Sequence, residues 1–435
     1  PTIIPRPFNV LAPSTSLNSF TWRWDWKAGI QRLYKTIYST ARNRFTKEHQ
    51  INSLAGFGSF GLEFSFLSTV TGDRKYRQLC DEIFHHVNAY ERNGIIPASW
   101  NVVTGEPIGH HGSLGSGSDS FYEYLIKIPV LNRCYFDAGM EMYTNPCTDT
   151  DKEYLKLYEK MVKEALTPFH AKKQSIGVDV NNVQSQHVFP VDFSRTYDHL
   201  LCFLPAMLSL GASTKYPVGS KNINDDRDHR LARQLLDGCA TIYKSTKTNI
   251  SPDTGYIDPG RFSTADPSYY LRPEYVESLF VIFRLTKDES LLELAWDVFQ
   301  SIEKYCKIPS GGYAGLKDVN DPSKGHIDDM PSYFLAETLK YLLLIFGPDD
   351  YVSLDEFVFT TEAHPLRKLK ELEPEYSEDS VPFCVLESRP PTPIPWTLLC
   401  IATGIIVVYL GVFLVIWNFA RKVAIAFLDH KAKTS

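Results

Sequence analysis

The chain reads as an all-α protein, a toroid of helix hairpins with a membrane-spanning helix at its C-terminal end. Three observations predict this. Apolar residues recur at 3.6 spacing through residues 60–70, 74–90, 119–129, 152–166, 196–211, 228–245, 272–286, 289–306 and 332–346, while long stretches of period-2 alternation are scarce. One helix hairpin is used twice: LSTVTGDRKYRQLCDEIF from Leu67 and IFRLTKDESLLELAWDVF from Ile282 align at a shift of 215 residues. They share a helix end, a Thr-x-Asp turn (Thr71 and Asp73; Thr286 and Asp288) and a second amphipathic helix, the mark of stacked helical repeats. Finally, Trp396–Phe419 is 24 residues without a charge, long enough to cross a bilayer.

Taken in order, the chain starts at Pro1, and no charged segment followed by an apolar one opens it. The body, residues 1–366, holds the helical segments, with Gly, Pro, Asn and Asp clustered between them. Residues 367–395 are acidic and proline-rich and read as an extended linker. The span at 396–419 carries Trp396 and Trp417 near its ends, and Arg421 and Lys422 follow it. Basic residues on that side put the tail, 420–435, in the cytoplasm and the body in a lumen or outside the cell.

Composition narrows the function. The 435 residues carry 45 Lys and Arg against 51 Asp and Glu, a net charge of −6, so no nucleic-acid partner is expected. With 43% apolar residues the body can bury a core. Eight cysteines without a CxxC pair give zinc and dithiol chemistry no support. Aromatic residues reach 13%, which suits either sugar platforms or a rich core.

Four strings carry candidate chemistry. In RPEYVE, Glu274 and Glu277 share a helix face behind Arg272 and Pro273, a pattern for acid/base work, for a cation, or for a solvated first turn. In GSDSFYEYLIK, Asp119 or Ser120 caps a helix on which Glu123 and Lys127 form an i,i+4 pair. In FSRTYDHLLCFLPAML, Asp198 and His199 open an apolar helix, placing the acid at the inner mouth of a toroid. In FVFTTEAHPL, a short strand-like run ends in Thr360, Thr361, Glu362 and His364, an oxygen-rich cation site or a polar plug.

Read together, DSFYEYLIK, YDHLLCFLPAMLSLGA, LRPEYVESLFVIFRLTKD, ETLKYLLLIF and FTTEAHPL resemble glycoside hydrolase family 47, the class I α-1,2-mannosidases, from about Ser53 to Leu366. SLAGFGSFGLEFSFLSTVTGD resembles its endoplasmic-reticulum degradation-enhancing branch, and TTEAHPL resembles the processing enzymes. The resemblance implies an (αα)7 barrel lacking its first hairpins, and inverting hydrolysis of α-1,2-linked mannose from high-mannose N-glycans. Inversion sets one carboxylic acid and one carboxylate about 6.5–9.5 Å apart. It implies catalytic roles for Asp198, Glu274 and Asp253, the last where the family usually has Glu. It implies substrate contacts for Arg272, Glu277, Asp119 and Glu123, calcium at Thr361 with Glu362 nearby, and a bridged Cys239. An early acidic residue of the family has no counterpart in residues 1–52, and Pro331 replaces a pocket Glu. These departures keep a second reading open: a lectin-like protein that binds the glycan without cleaving it.

The setting expected is the endoplasmic-reticulum membrane, with a single type I span. Lys431 and Lys433, fifth and third from the end, resemble a K-x-K-x-x address read by the COPI coat. Changing both to Ser is expected to move the protein to the Golgi or the cell surface, as seen by immunofluorescence; an unmoved double variant rules the tail out as the address.

Overall fold

The structure, a computed structural model, describes residues 51–137, 142–143, 147–166, 196–215, 221–258 and 261–369. The chain divides into Pro1–Glu371 and Leu372–Ser435, and the described residues all belong to the first unit. The expected span at 396–419 and tail at 420–435 lie outside them. Among the described residues no helix is long and apolar enough to cross a membrane.

Helices dominate. A strand, β1 (Ile51–Ser53), leads into α1 (Leu54–Gly58), α2 (Gly61–Thr71) and α3 (Lys75–Asn88). Strands β2 (Ser99–Asn101) and β3 (Glu106–Pro107) complete an antiparallel sheet on β1. Then come α4 (Asp119–Leu131), the two-residue strands β4 (Phe136–Asp137) and β5 (Met142–Tyr143), and α5 (Asp149–Lys160), which widens into a π-turn. Strand β6 (Thr196–Asp198) enters a 3-10 turn, His199–Phe203, and α6 (Leu204–Ser213). After α7 (Arg227–Lys244), β7 (Thr254–Asp258) pairs with β6 and with β8 (Arg261–Asp266). Helices α8 (Glu274–Thr286) and α9 (Ser290–Tyr305), the π-turn Phe334–Thr338 and α10 (Leu339–Phe346) precede a last hairpin, β9 (Phe357–Phe359) and β10 (Pro365–Arg367).

Burial sorts the helices into an inner and an outer layer. Helix α4 is buried all round from Phe121 to Leu131, and α6 from Leu204 to Ala212, as helices enclosed by protein must be. Helices α3 and α9 bury one stripe only, Cys80, Ile83, Phe84 and Val87 in the first and Leu291, Ala295, Val298 and Ile302 in the second. Each inner helix packs on the outer one that follows it: α2 on α3, α4 on α5, α6 on α7, α8 on α9. The inner helices touch in series from α2 through α4, α6 and α8 to α10. The predicted helical segments match these elements closely. Residues 196–203 are the difference: they form a strand and a 3-10 turn, because backbone pairing with β7 fixes Thr196–Asp198 in extended form.

The repeated hairpin is repeated atom for atom. Thr71 Oγ1 donates to Leu67 O at 2.7 Å, Asp73 N donates to Thr71 Oγ1 at 3.3 Å, and Lys75 N donates to Asp73 Oδ1 at 3.0 Å. In the second copy, Thr286 Oγ1 donates to Ile282 O at 2.8 Å, Asp288 N to Thr286 Oγ1 at 3.3 Å, and Ser290 N to Asp288 Oδ1 at 3.1 Å. Both helices end in a left-handed residue, Gly72 at φ 70° and Lys287 at φ 59°. Glycine takes that conformation freely, whereas a lysine there is held by its surroundings.

The β9–β10 hairpin joins two apolar cores. Val358 belongs to the core of α1–α5, and Phe359 to that of α8–α10, where it packs on Phe280 and Tyr341. The body also runs past residue 366: Leu369 N donates to Leu131 O at 2.8 Å and Arg133 Nε to Leu369 O at 3.0 Å.

Among the described residues two disulfides are present, Cys134–Cys147 and Cys202–Cys239. The second staples the 3-10 turn before inner helix α6 to outer helix α7 and names the partner of Cys239. It closes a loop with a sequence separation of 37. Replacing both cysteines by Ala is expected to lower the free energy of unfolding by roughly 3–4 kcal/mol, read from urea denaturation.

Candidate active site

One pocket gathers the first turns of the inner elements. Asp119, Ser120 and Glu123 come from α4, Leu200 and Phe203 from the 3-10 turn, and Arg272, Pro273, Glu274 and Glu277 from the start of α8. Tyr333 comes from just before the π-turn, Glu337 from within it and Thr361 from the tip of the last hairpin. The cavity is about 150 Å³, on the scale of one sugar ring. Helix N-termini favour negative charge, so the first turns of α4 and α8 are suited to hold carboxylates there.

The register of α4 explains its contribution. Ser118 is the N-cap, which corrects the expected cap at Asp119 or Ser120, and Asp119 is the first helical residue. Ser120, Glu123 and Lys127 then share a face. Ser120 Oγ lies 2.9 Å from Thr361 Oγ1, and Thr361 N donates to Tyr124 Oη at 3.2 Å. The hairpin tip is thus held from α4. Lys127 Nζ contacts Glu123 and donates to Glu277 Oε1 at 3.2 Å. Lys127 and both carboxylates are buried.

The acids are in different electrostatic states. Burial pushes the Asp119 carboxyl up to about 7, with the charges of Glu123, Glu274 and Asp198 adding to the shift. Burial also acts to raise Glu274, but the hydrogen bond and charge of His199, with Arg272, more than offset it and hold the carboxyl below its usual value. His199 Nδ1 lies 2.8 Å from Glu274 Oε2, and its Nε2 lies 2.7 Å from Tyr243 Oη. Glu337 is pushed up to about 9 by burial and by the charges of Glu277, Glu274, Glu362 and Glu123.

The remaining expected residues stand around the mouth. Asp198 N-caps the 3-10 turn, accepting from Leu200 N at 3.0 Å, and accepts from Ser116 N at 3.4 Å. Asp253 accepts from Arg272 Nε at 2.6 Å, which turns the guanidinium over the pocket edge. Neither lines the cavity, nor does Glu362, which is exposed. Position 331 is likewise outside the lining, where Tyr333 and Glu337 stand instead. His199 was noted at the start of its helix but given no role, and Glu337 was not singled out. Glu337 was signalled by a carboxylate inside the apolar string FLAETLKYLLLIF.

Calcium was expected at Thr361. Among the described residues no three His, Cys, Asp or Glu are grouped to hold a metal. The surroundings nevertheless fit a hard cation with oxygen ligands: Glu123, Glu277 and Glu337 surround the floor, Lys127 pairs with the first two, and the buried Glu63 Oε2 has no hydrogen-bond partner.

Comparison with known proteins decides the family. Residues 25–368 match the profile of glycosyl hydrolase family 47. The chain belongs to this family. The match begins upstream of Ser53, so the relationship covers more of the N-terminal region than the sequence strings alone revealed. The chain is 36% identical over 342 residues to mannosyl-oligosaccharide 1,2-alpha-mannosidase MNS3 of Arabidopsis thaliana, covering 72% of this chain and 53% of that one. It is 33% identical over 329 residues to the endoplasmic reticulum mannosyl-oligosaccharide 1,2-alpha-mannosidase of Homo sapiens, covering 72% and 43%. The chain therefore spans about half the length of the curated relatives it matches. The solved alpha-1,2-mannosidase from Trichoderma reesei superposes with a TM-score of 0.60 at 25% identity, over 74% of this chain and 67% of that one.

The raised Asp119 has a consequence for stability. Its folded value of about 7 exceeds the unfolded value of about 3.9, so its contribution is complete below pH 4 and lost as pH rises to 7. Asp119→Asn cannot ionise. It is expected to be more stable than the parent at pH 8, by roughly 1–3 kcal/mol, and no more stable at pH 4, measured by denaturation at both pH values.

Proposed function

We propose that this chain is an inverting α-1,2-mannosidase acting on high-mannose N-glycans of glycoproteins in the endoplasmic reticulum. The observation that carries the reading is the pair Asp119 and Glu274, two carboxyls in one sugar-sized pocket whose proton affinities are driven in opposite directions. Environments that separate two carboxyls in this way assign one the acid role and the other the base role. Glu274, ionised and oriented by His199, takes the proton of an attacking water. Asp119, which holds its proton up to about pH 7, faces the leaving oxygen. Asp253 holds the Arg272 guanidinium at the mouth for sugar hydroxyls, and Asp198, bonded to the backbone of Leu200 and Ser116, adds a further carboxylate to the acidic set.

Thr361, with Glu277, Glu337 and Glu362 around it, would hold calcium. When bound, the ion supplies positive charge and oxygen coordination for the sugar. Lys127 fixes Glu123 and Glu277 beneath it whether or not it is present. The body would lie in the lumen as a barrel of the (αα)7 type, and the span at 396–419 would anchor it. The alternative, a glycan-binding pocket without turnover, drew on Pro331 and on the early acidic residue without a counterpart in residues 1–52; position 331 lies outside the cavity lining, which removes the first of these supports.

With α-1,2-linked mannobiose as substrate, β-mannose is the expected first product by NMR, since inversion delivers water from the opposite face. Glu274→Gln is expected to lower kcat by at least a factor of roughly 100. Retained α-configuration, or an unchanged Glu274→Gln rate, overturns the assignment; binding of the disaccharide with no turnover by the parent chain establishes the lectin-like alternative.

A further inference from the structure

We propose that the outer face of the β6–β7–β8 sheet is a second saccharide-binding surface, with Tyr256 as the platform for a hexose one or more units away from the one in the pocket. The inference rests on the glycan-cleaving reading above and extends it to a residue that reading does not use.

Register fixes which side chains share that face. Directly opposed residues in an antiparallel pair point the same way, and alternate residues of one strand share a face. Thr196 opposes Tyr256, Asp198 opposes Thr254, and Tyr256 in turn opposes Ser263. Thr196, Asp198, Thr254, Tyr256 and Ser263 therefore stand on one side. The other side is core: Tyr197 and Ile257 are buried, and Tyr197 packs edge-on against Phe262 with ring centroids 5.7 Å apart. Gly255 belongs to that inner side, where a Cβ would lie 2.4 Å from the Phe262 ring. Tyr256, by contrast, is 52% exposed. An aromatic ring left half in water among hydroxyl-bearing neighbours is the composition of a sugar platform: the ring takes the C–H face of a hexose, and the hydroxyls and carboxylate take its oxygens.

The same face leads to the pocket. Asp198 sits at its near end and accepts from Ser116 N in the loop that enters α4 at Asp119. The backbone of Asp253, just before β7, accepts from His199 N at 2.9 Å, and its carboxylate holds Arg272 at the cavity edge. Tyr256 lies two residues further along the sheet than Asp198's opposite residue, about 7 Å at the usual strand rise. A glycan with its terminal ring beside Glu274 and Asp119 would run over Arg272 and Asp198 onto Tyr256. The platform therefore selects extended oligosaccharides over disaccharides, while the pocket alone selects the cleaved linkage.

The test compares α-1,2-linked mannobiose with a branched high-mannose oligosaccharide on the full chain, by calorimetric binding and by kinetics. Tyr256→Ala is expected to raise the oligosaccharide KM and Kd roughly 5- to 10-fold, leave kcat unchanged and leave mannobiose untouched. Tyr256→Trp is expected to restore oligosaccharide affinity. Equal effects on both substrates, or on neither, overturn the platform. A parent chain that binds the oligosaccharide without cleaving it, while Tyr256→Ala weakens that binding, overturns the hydrolase reading and sustains the platform. A parent chain that binds neither sugar overturns both.

Discussion

The site depends on one buried ammonium group. Helix α4 is enclosed on every side, yet it carries Glu123 and Lys127 one turn apart. Charges in such a place persist only when compensated nearby. Lys127 is: it contacts Glu123 on its own helix and Glu277 on α8, and Tyr341 of α10 donates to Glu277 at 3.3 Å. Burial opposes its charge, and the two carboxylates more than restore it. One cation thereby ties three inner helices across the two apolar cores. The floor of the pocket takes its position from that tie rather than from the loops around it.

Above the floor, identical functional groups are made chemically different by their partners. Glu274 has an imidazole at 2.8 Å and stays ionised. Asp119, whose hydrogen bond is to the backbone of Ser120, retains its proton to near neutrality. Glu337, delivered by a π-turn, has carboxylates for neighbours and holds its proton longest. The π-turn at Phe334–Thr338 follows a wider pattern, in which such local irregularities place side chains at functional sites. The 3-10 turn at His199–Phe203 does similar work, since it lets His199 face α8 while Asp198 stays on the sheet.

Much of this was legible in the chain itself, for a reason that also sets the limit. Helix positions follow from local periodicity, so nearly every predicted segment is an observed helix, and the Thr-x-Asp corner reappears with the same hydrogen bonds. Glu274 and Glu277 share a face because three residues separate them on α8. What local spacing cannot encode is which distant elements meet. The pairing of Cys202 with Cys239, the His199–Glu274 contact across 75 positions, and the placement of Asp119 inside the cavity with Asp198 at its edge are products of tertiary packing. Glu337 was missed for the same reason: in sequence it is one acid in a helical string, and only its burial, with four other carboxylates close by, gives it its character.

The last hairpin sets the order in which the molecule becomes functional. Its tip residue Thr361 meets Ser120 across 241 positions. Helix pairs that touch only their neighbours form from contacts close in sequence, and each can settle as it is made. Closing so long a loop costs about 5 kcal/mol in chain entropy, so the contact forms only when both faces that receive it exist. A growing chain would therefore carry its layers of helices well before it carries a usable pocket. Until the last hairpin docks the molecule is a scaffold of helices, and the pocket is complete only with the final few residues of the body.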